Sequence, residues 1–201
     1  MNSNFCKSKK EQIDLCETGL SLINLQYRKI SRYFDDIDGP LTESELFWVH
    51  KFIRSIPSEL PIIEIYPGTG QVTCCLTIAS SVGFRKIHSL WPEEVQAPTN
   101  NISSFYINWH KLILRKHLVP FVIPTIIGKD FTIPELPTTE SILVINHDHM
   151  LPIIDIKTAL LRNNLSFHFK YGIEFGSSQQ LSRYFLTSKV NEHGGIYYVG
   201  K

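Results

Sequence analysis

The stretch Ile62-Ile63-Glu64-Ile65-Tyr66-Pro67-Gly68-Thr69-Gly70 decides the fold of this chain. Its apolar first half predicts a strand over Pro61–Tyr66, and its glycine turn leads into a predicted helix over residues 71–82. Glycines at such a turn let the backbone approach a ligand closely, and the helix N-terminus behind them offers N–H groups to it. Glu64 needs a partner, because an acidic side chain inside an apolar strand is costly to bury.

The alternation of strand and helix continues on both sides of this stretch. A capping box formed by Thr42 and Glu45 predicts a helix from Glu43 to about Ile56. The further predicted strands and helices are Lys86–Leu90, Phe121–Ile127, Ser141–Asn146, Ser166–Ile173 and Gly195–Gly200, and residues 100–117, 151–163 and 177–189. This order predicts an α/β fold with a Rossmann-like, doubly wound and mostly parallel sheet flanked by helices. Such sheets bind ligands at the carboxyl ends of their strands.

Composition limits the class of protein. The 201 residues are 43% hydrophobic and 19% charged, which is typical of a globular domain. The net charge of +1 creates no strong field, so neither nucleic acid nor a membrane is expected as a partner. The polar N-terminus predicts no signal peptide. The cysteines lack paired metal-ligand spacing, which predicts reduced thiols in a cytoplasmic protein: Cys6, Cys16, Cys74 and Cys75.

Residues 1–41 are predicted to form an N-terminal helical extension, because apolar residues recur there at helical spacing. Two roles stay open for this extension, a cap over a substrate pocket or a contact in a homodimer. Residues 42–201 are predicted to form the Rossmann-like domain.

The turn after the first strand resembles motif I of the class I S-adenosylmethionine-dependent methyltransferases, an acidic residue followed by glycines at three alternate positions. Glu64, Gly68 and Gly70 match it, whereas Tyr66 replaces the first glycine. The resemblance implies that the glycines pack under the methionine and ribose parts of S-adenosylmethionine, and that Glu64 orients the loop or the methionyl ammonium. The Tyr66 side chain could crowd the methionine, although DNA methyltransferase branches accept an aromatic residue there. The alternative is a plain strand–turn–helix of another α/β protein.

The ends of the second and third strands have further candidates. The family places an acid after the second strand to bind both ribose hydroxyls, and here Glu93 is the first choice and Glu94 the second. Trp91 could instead cover the adenine. Two solvated glutamates in a loop are the alternative. After the third strand, Asp130 could reach the adenine amino group or serve only as a turn residue.

The end of the fourth strand, Asn146-His147-Asp148-His149, resembles that of small-molecule O-methyltransferases of the catechol and macrocin type. Asp148 and His149 match their second acid and histidine, while Asn146 replaces their first acid. Because histidine titrates near neutral pH, His149 is the predicted general base, and Asp148 could hold its tautomer. A hydrogen-bonded loop cluster without catalysis is the alternative.

A magnesium site is a further possibility at the same edge. Glu174 follows the predicted fifth strand, about where metal-dependent relatives carry another acid. Asn146, Asp148 and Glu174 could together supply three oxygens to Mg²⁺. The missing acid at Asn146 speaks against this site.

The resemblance covers residues 42–201 and implies a methyltransferase that acts on a hydroxyl of a small-molecule acceptor. Aromatic residues predict a pocket for an apolar or aromatic acceptor: Tyr66, Trp91, Phe105, Tyr106 and Trp109. Two alternatives remain open. One is a catalytically inactive binding or scaffold protein with this fold, which the departures at Tyr66 and Asn146 favour. The other is a descendant that uses the cofactor for another reaction.

Overall fold

The structure is a computed structural model that describes residues 33–39, 41–93, 101–128, 140–146, 169–175 and 190–200. The chain divides into two compact units, Met1–Asp36 and Ile37–Lys201. Of the first unit the structure describes residues 33–36. The cap and dimer roles of the N-terminal extension therefore stay predictions.

The second unit alternates strands and helices, as the sequence predicts. The described elements are helix α1 Glu43–Ser55, strand β1 Ile62–Ile65, helix α2 Gln71–Ser80, strand β2 Ile87–Pro92, helix α3 Asn101–Arg115, and strands β3 Val122–Ile127, β4 Ser141–Asn146, β5 Phe169–Phe175, β6 Asn191–His193 and β7 Ile196–Val199. A short 3₁₀ turn, Ser81–Gly83, follows α2. The helices predicted at 151–163 and 177–189 lie outside the described residues.

Within the described ranges the strands form one seven-stranded sheet in the order β3-β2-β1-β4-β5-β7-β6. The first five of these strands are parallel to their neighbours, whereas β7 runs antiparallel to β5 and β6 antiparallel to β7. Every residue of β1 and of β4 is buried. This confirms the predicted Rossmann-like, mostly parallel sheet, with its apolar central strands covered on both faces.

Local contacts fix α1 at both ends. The Thr42 hydroxyl accepts the Glu45 N–H, and the Glu45 carboxylate accepts the Thr42 N–H at 2.7 Å, which confirms the predicted capping box. At the other end the buried Arg85 guanidinium donates to the carbonyls of Ile53, Ile56, Pro57 and Ser58, at 3.3, 3.0, 2.7 and 3.4 Å. Arg85 thus adds side-chain donors to the carbonyls at and just after the end of α1 and joins this helix to the start of β2.

Helices α2 and α3 lie on the same face of the sheet. Strand side chains alternate between faces, so Ser89 and Trp91 of β2 share one face. Thr73 of α2 and Trp109 of α3 meet on that face, at a hydrogen bond of 3.0 Å. The parallel strands end at one common edge, called the carboxyl edge below, and the predicted site residues belong there. Among the described helices, none has the length and apolar character needed to cross a membrane.

Candidate functional site

The turn after β1 has a left-handed backbone at alternate residues. The φ angles are +58° at Tyr66, +57° at Gly68 and +92° at Gly70. Glycine takes such angles without a steric penalty, whereas an L-residue with a Cβ atom does not. The glycines of the motif therefore stand where the turn needs them.

Tyr66 takes the left-handed conformation at the position of the missing first glycine. Its side chain is 8% exposed, so the ring is packed within the protein. The register pairs Ile65 of β1 with Ile145 of β4, so Tyr66 and Asn146 follow at adjoining strand ends. The two departures from the family pattern are thus neighbours at the carboxyl edge.

Gly68 and Gly70 differ in what surrounds them. A Cβ atom on Gly68 would have the Asn146 Nδ2 atom as its nearest contact, at 3.4 Å. A Cβ atom on Gly70 would lie 2.7 Å from Leu112 Cδ2 and 3.0 Å from Trp109 Cδ1, so α3 leaves no room for a side chain there. Gly70 has a packing reason to be glycine, while Gly68 faces the buried amide of Asn146.

Glu64 finds the partners that its burial requires. Its carboxylate is fully buried and accepts hydrogen bonds from Thr73 Oγ1, at 2.9 Å to either oxygen, and from Ser89 Oγ at 2.6 Å. Thr73 Oγ1 in turn accepts the Trp109 Nε1–H at 3.0 Å. Burial raises the pKa of Glu64 to about 7, and the hydrogen bonds from Ser89 and Thr73 oppose that rise. These contacts support the loop-orienting one of its two predicted roles.

Glu93 comes directly after β2, because this strand continues through Pro92 rather than ending at Leu90. Glu93 is partly exposed at the carboxyl edge, where a ligand can reach it. Glu94 and Asp130 lie outside the described residues.

The aromatic residues near this edge are mostly core. Trp91 and Trp109 are fully buried and pack edge-to-face, with ring centroids 5.4 Å apart. Tyr106 packs edge-to-face on Trp91 at 5.2 Å. The predictions that Trp91 covers the adenine and that both tryptophans line an acceptor pocket are therefore wrong, because Trp91 of β2 and Trp109 of α3 are buried against each other. Tyr106 is half-buried and Phe105 is 41% exposed.

The predicted magnesium site lacks support. Glu174 lies inside β5 rather than after it and is fully buried. The register pairs Glu174 with Ile145 and Asn146 with Phe175, so the Glu174 and Asn146 side chains belong to opposite faces of the sheet. Within the described ranges, no three His, Cys, Asp or Glu side chains cluster closely enough to hold a metal ion. His147, Asp148 and His149 lie outside these ranges.

Comparison with solved structures identifies the fold. An S-adenosylhomocysteine-bound methyltransferase from Podospora anserina, PaMTH1, superimposes with a TM-score of 0.53 over 99% of both chains, at 10% identity. The chain has a methyltransferase-like fold.

Two further similar structures have TM-scores below 0.5. A putative rRNA-methylase from Clostridium thermocellum has a TM-score of 0.49 and 12% identity, covering 77% of this chain and 94% of its own. A methyltransferase domain of METTL16 has 0.47 and 9%, covering 89% of this chain and 94% of its own. No protein-family model and no curated protein matches the sequence.

Within this methyltransferase-like fold, sequence reasoning missed the residues that hold Glu64. Thr73, Ser89 and Trp109 surround it, and each belongs to a different element. A buried acid must accept hydrogen bonds, but the residues near Glu64 in the sequence do not show which side chains donate them. Polar residues in apolar elements, such as Ser89 in a fully buried strand, were the available clue.

Proposed function

We propose that this chain is an S-adenosylmethionine-dependent methyltransferase that acts on a hydroxyl group of a small molecule. The observation that carries the proposal is the left-handed turn Tyr66–Gly70 at the carboxyl end of a central strand, β1. A glycine turn at this place in a doubly wound sheet is where such folds bind nucleotides. The full-length likeness to an S-adenosylhomocysteine-bound methyltransferase supports the same reading.

The residues around the turn suit the cofactor. Gly70 is the N-cap of α2 and offers no side chain to cap its first turn, which suits a ligand carboxylate at the helix N-terminus. Gly68 lies next to Asn146, and the proposal assigns to Glu93, directly after β2, the hydrogen bonds from the two ribose hydroxyls. In this proposal Asp130 contacts the adenine, and Tyr66 borders the methionine.

The reaction asks this chain mainly for positioning and for removal of one proton. When bound, S-adenosylmethionine supplies an activated methyl group to the acceptor oxygen. His149 takes the hydroxyl proton as general base, and Asp148 holds the imidazole in the tautomer that accepts it. Glu64 holds the turn through Thr73.

The acceptor and the setting follow from what is exposed and what is buried. Phe105 and Tyr106 lie in the first half of α3, which starts on the carboxyl side because it follows β2, and both keep exposed surface. They support an apolar or aromatic small-molecule acceptor. Cys74 and Cys75 are buried, reduced thiols, which supports a cytoplasmic setting.

A second candidate function is a non-catalytic binding protein with the same fold. The observation that favours it is the buried Tyr66 ring beside Asn146, at two positions where the family pattern has other residues. Such a protein binds the cofactor or a partner without transferring a methyl group.

Calorimetry with S-adenosylmethionine and S-adenosylhomocysteine tests the proposal. Micromolar binding of both ligands, followed by turnover that His149→Ala abolishes while cofactor affinity persists, is the expected result. Binding without turnover on a panel of phenolic acceptors favours the second candidate. No binding of either ligand at millimolar concentration contradicts the enzyme.

A further inference from the structure

Four buried side chains form a continuous hydrogen-bonded chain across four elements. Ser89 of β2 donates to Glu64 of β1, Thr73 of α2 donates to Glu64, and Trp109 of α3 donates to Thr73. All four residues have no exposed surface. The chain therefore joins both strands to both helices on one face of the sheet.

When Glu64 is ionised, every donor among these four hydrogen-bonded side chains has an acceptor. A carboxylate only accepts, so it takes the single proton of each of the Thr73 and Ser89 hydroxyls. Thr73 still has a lone pair for the indole N–H of Trp109. A protonated Glu64 would itself have to donate to one of these hydroxyl oxygens, and that hydroxyl would then lose its acceptor. The lost hydrogen bond has a cost, but this cost is smaller than that of burying the charge, so the pKa of Glu64 is still raised.

Two of the four residues flank the turn Tyr66–Gly70 in the sequence, and a third contacts its last residue. Glu64 lies two residues before Tyr66, and Thr73 lies three residues after Gly70. Trp109 Cδ1 would stand 3.0 Å from a Cβ atom on Gly70. The same indole that donates to Thr73 thus packs on the last glycine of the turn.

We propose that Thr73 and Trp109 are positioning residues for the turn Tyr66–Gly70, and that the ionised Glu64 is the form that holds α3 against this turn. Their effect on cofactor affinity rests on the proposed function, whereas their effect on the ligand-free protein does not.

Among the described residues, the groups that face Glu64 carry no charge. They are Ser89 from β2, Val144 from β4, Thr73 from α2 and Trp109 from α3. The other titratable side chains on the described elements packed here are His88 on the opposite face of β2, Cys74 and Cys75 on α2, Tyr106, His110, Lys111 and Arg115 on α3, and Glu43, Glu45, His50, Lys51 and Arg54 on α1. None of these is a cause of the raised pKa of Glu64, which burial brings to about 7. The change between the two forms therefore falls near neutral pH.

Tryptophan emission of the ligand-free protein tests the chain, recorded from about pH 5.5 to about pH 8.5 to bracket the pKa of a buried acid. We expect a pH-dependent change that disappears in Trp109→Phe and Glu64→Gln but persists in Trp48→Phe and in Glu192→Gln, an exposed control. Thr73→Ser keeps the hydroxyl and should keep the change, whereas Thr73→Val should lose it. A change that survives in Trp109→Phe or in Thr73→Val overturns the proposal.

S-adenosylhomocysteine affinity, measured by calorimetry at about pH 8 where an acid of neutral pKa is ionised, tests the positioning role. Thr73→Val should weaken binding by roughly three- to tenfold, as expected for one lost hydrogen bond, and Thr73→Ser should restore it. Equal affinity of the two variants overturns the positioning role. The native protein and its variants can all fail to bind the ligand while the tryptophan emission changes as expected. In that case the proposed function is wrong, but the proposed role of the four hydrogen-bonded side chains is supported.

Discussion

Trp109 occupies the space that a side chain on Gly70 would need. A Cβ atom at residue 70 would lie 3.0 Å from Trp109 Cδ1 and 2.7 Å from Leu112 Cδ2, with φ already at +92°. The glycine that ends the turn is thus required by the packing of α3. This relationship separates the roles of the two glycines in the turn.

Gly70→Ala should destabilise the fold more than Gly68→Ala. Both substitutions place a Cβ atom at positive φ, which costs about 1–2 kcal/mol. Only Gly70→Ala also overpacks the contact with α3, which adds about 1–3 kcal/mol. Urea denaturation measures the difference, and equal free energies of unfolding would contradict the packing role.

Gly68→Ala should weaken ligand binding more than Gly70→Ala, although Gly70→Ala destabilises the fold more. Gly68→Ala places its new methyl 3.4 Å from Asn146 Nδ2, at the carboxyl edge. S-adenosylhomocysteine binding should therefore be lost in Gly68→Ala although its fold is the more stable of the two. Unchanged affinity in a folded Gly68→Ala protein would remove Gly68 from the cofactor site.

Glu64 should make stability depend on pH. Its pKa is raised from 4.5 to about 7 in the folded chain, so between these values the folded state keeps a proton that the unfolded state has released. The stabilisation is complete below about pH 4.5 and is lost as pH rises through about pH 7. Between about pH 4.5 and pH 7 the free energy of unfolding of the native protein should fall by about 3 kcal/mol relative to that of Glu64→Gln. If the difference in the free energy of unfolding between the native protein and Glu64→Gln is the same at every pH, Glu64 does not titrate in this range.

At position 66 a glycine variant should be more stable than an alanine variant, which is the reverse of the usual order. Both Tyr66→Ala and Tyr66→Gly remove the ring, but only glycine takes φ of +58° without a penalty. We expect Tyr66→Gly to be the more stable of the two by about 1 kcal/mol. Thermal unfolding measures this, and a more stable alanine variant would mean that the turn is not left-handed at residue 66.

Arg85 should matter for stability although it lies far from the carboxyl edge. Its buried guanidinium donates to four carbonyls at and just after the end of α1, of which those of Ile53 and Pro57 also accept backbone N–H groups. Arg85→Met therefore mainly removes the donor of the buried Ile56 carbonyl, at a cost of about 1–3 kcal/mol. Arg54→Met, at an exposed position on the same helix, is the control. A similar melting temperature for both variants would contradict the capping role.

Much of the fold was predictable because its signals are local. The apolar run at Ser141–Asn146 predicted β4 with its observed bounds, and the capping box predicted the start of α1. The end of β2 was not, because Trp91 and Pro92 read as a loop by themselves and become strand only by pairing with Ile126 and Ile127 of β3. That pairing is a tertiary contact that the local sequence does not encode.

The candidate site was predictable in part for the same reason. The glycines and Glu64 belong to one contiguous motif, and strand order places their turn at the carboxyl edge. The core position of Trp91 and Trp109 and the strand position of Glu174 depend on how α3 and β5 pack across the sheet. From residue type alone, the two tryptophans are expected to line a pocket and Glu174 to bind a metal ion. In the folded protein all three side chains are buried in the core.

Calorimetric titration of the native protein with S-adenosylhomocysteine at neutral pH tests most directly whether the turn after β1 holds the cofactor. We expect micromolar, one-to-one binding that Gly68→Ala abolishes and Tyr66→Gly preserves or strengthens. Absence of binding at millimolar ligand, in both the native chain and a folded Tyr66→Gly variant, would contradict the claim that the turn after β1 holds an adenosyl cofactor.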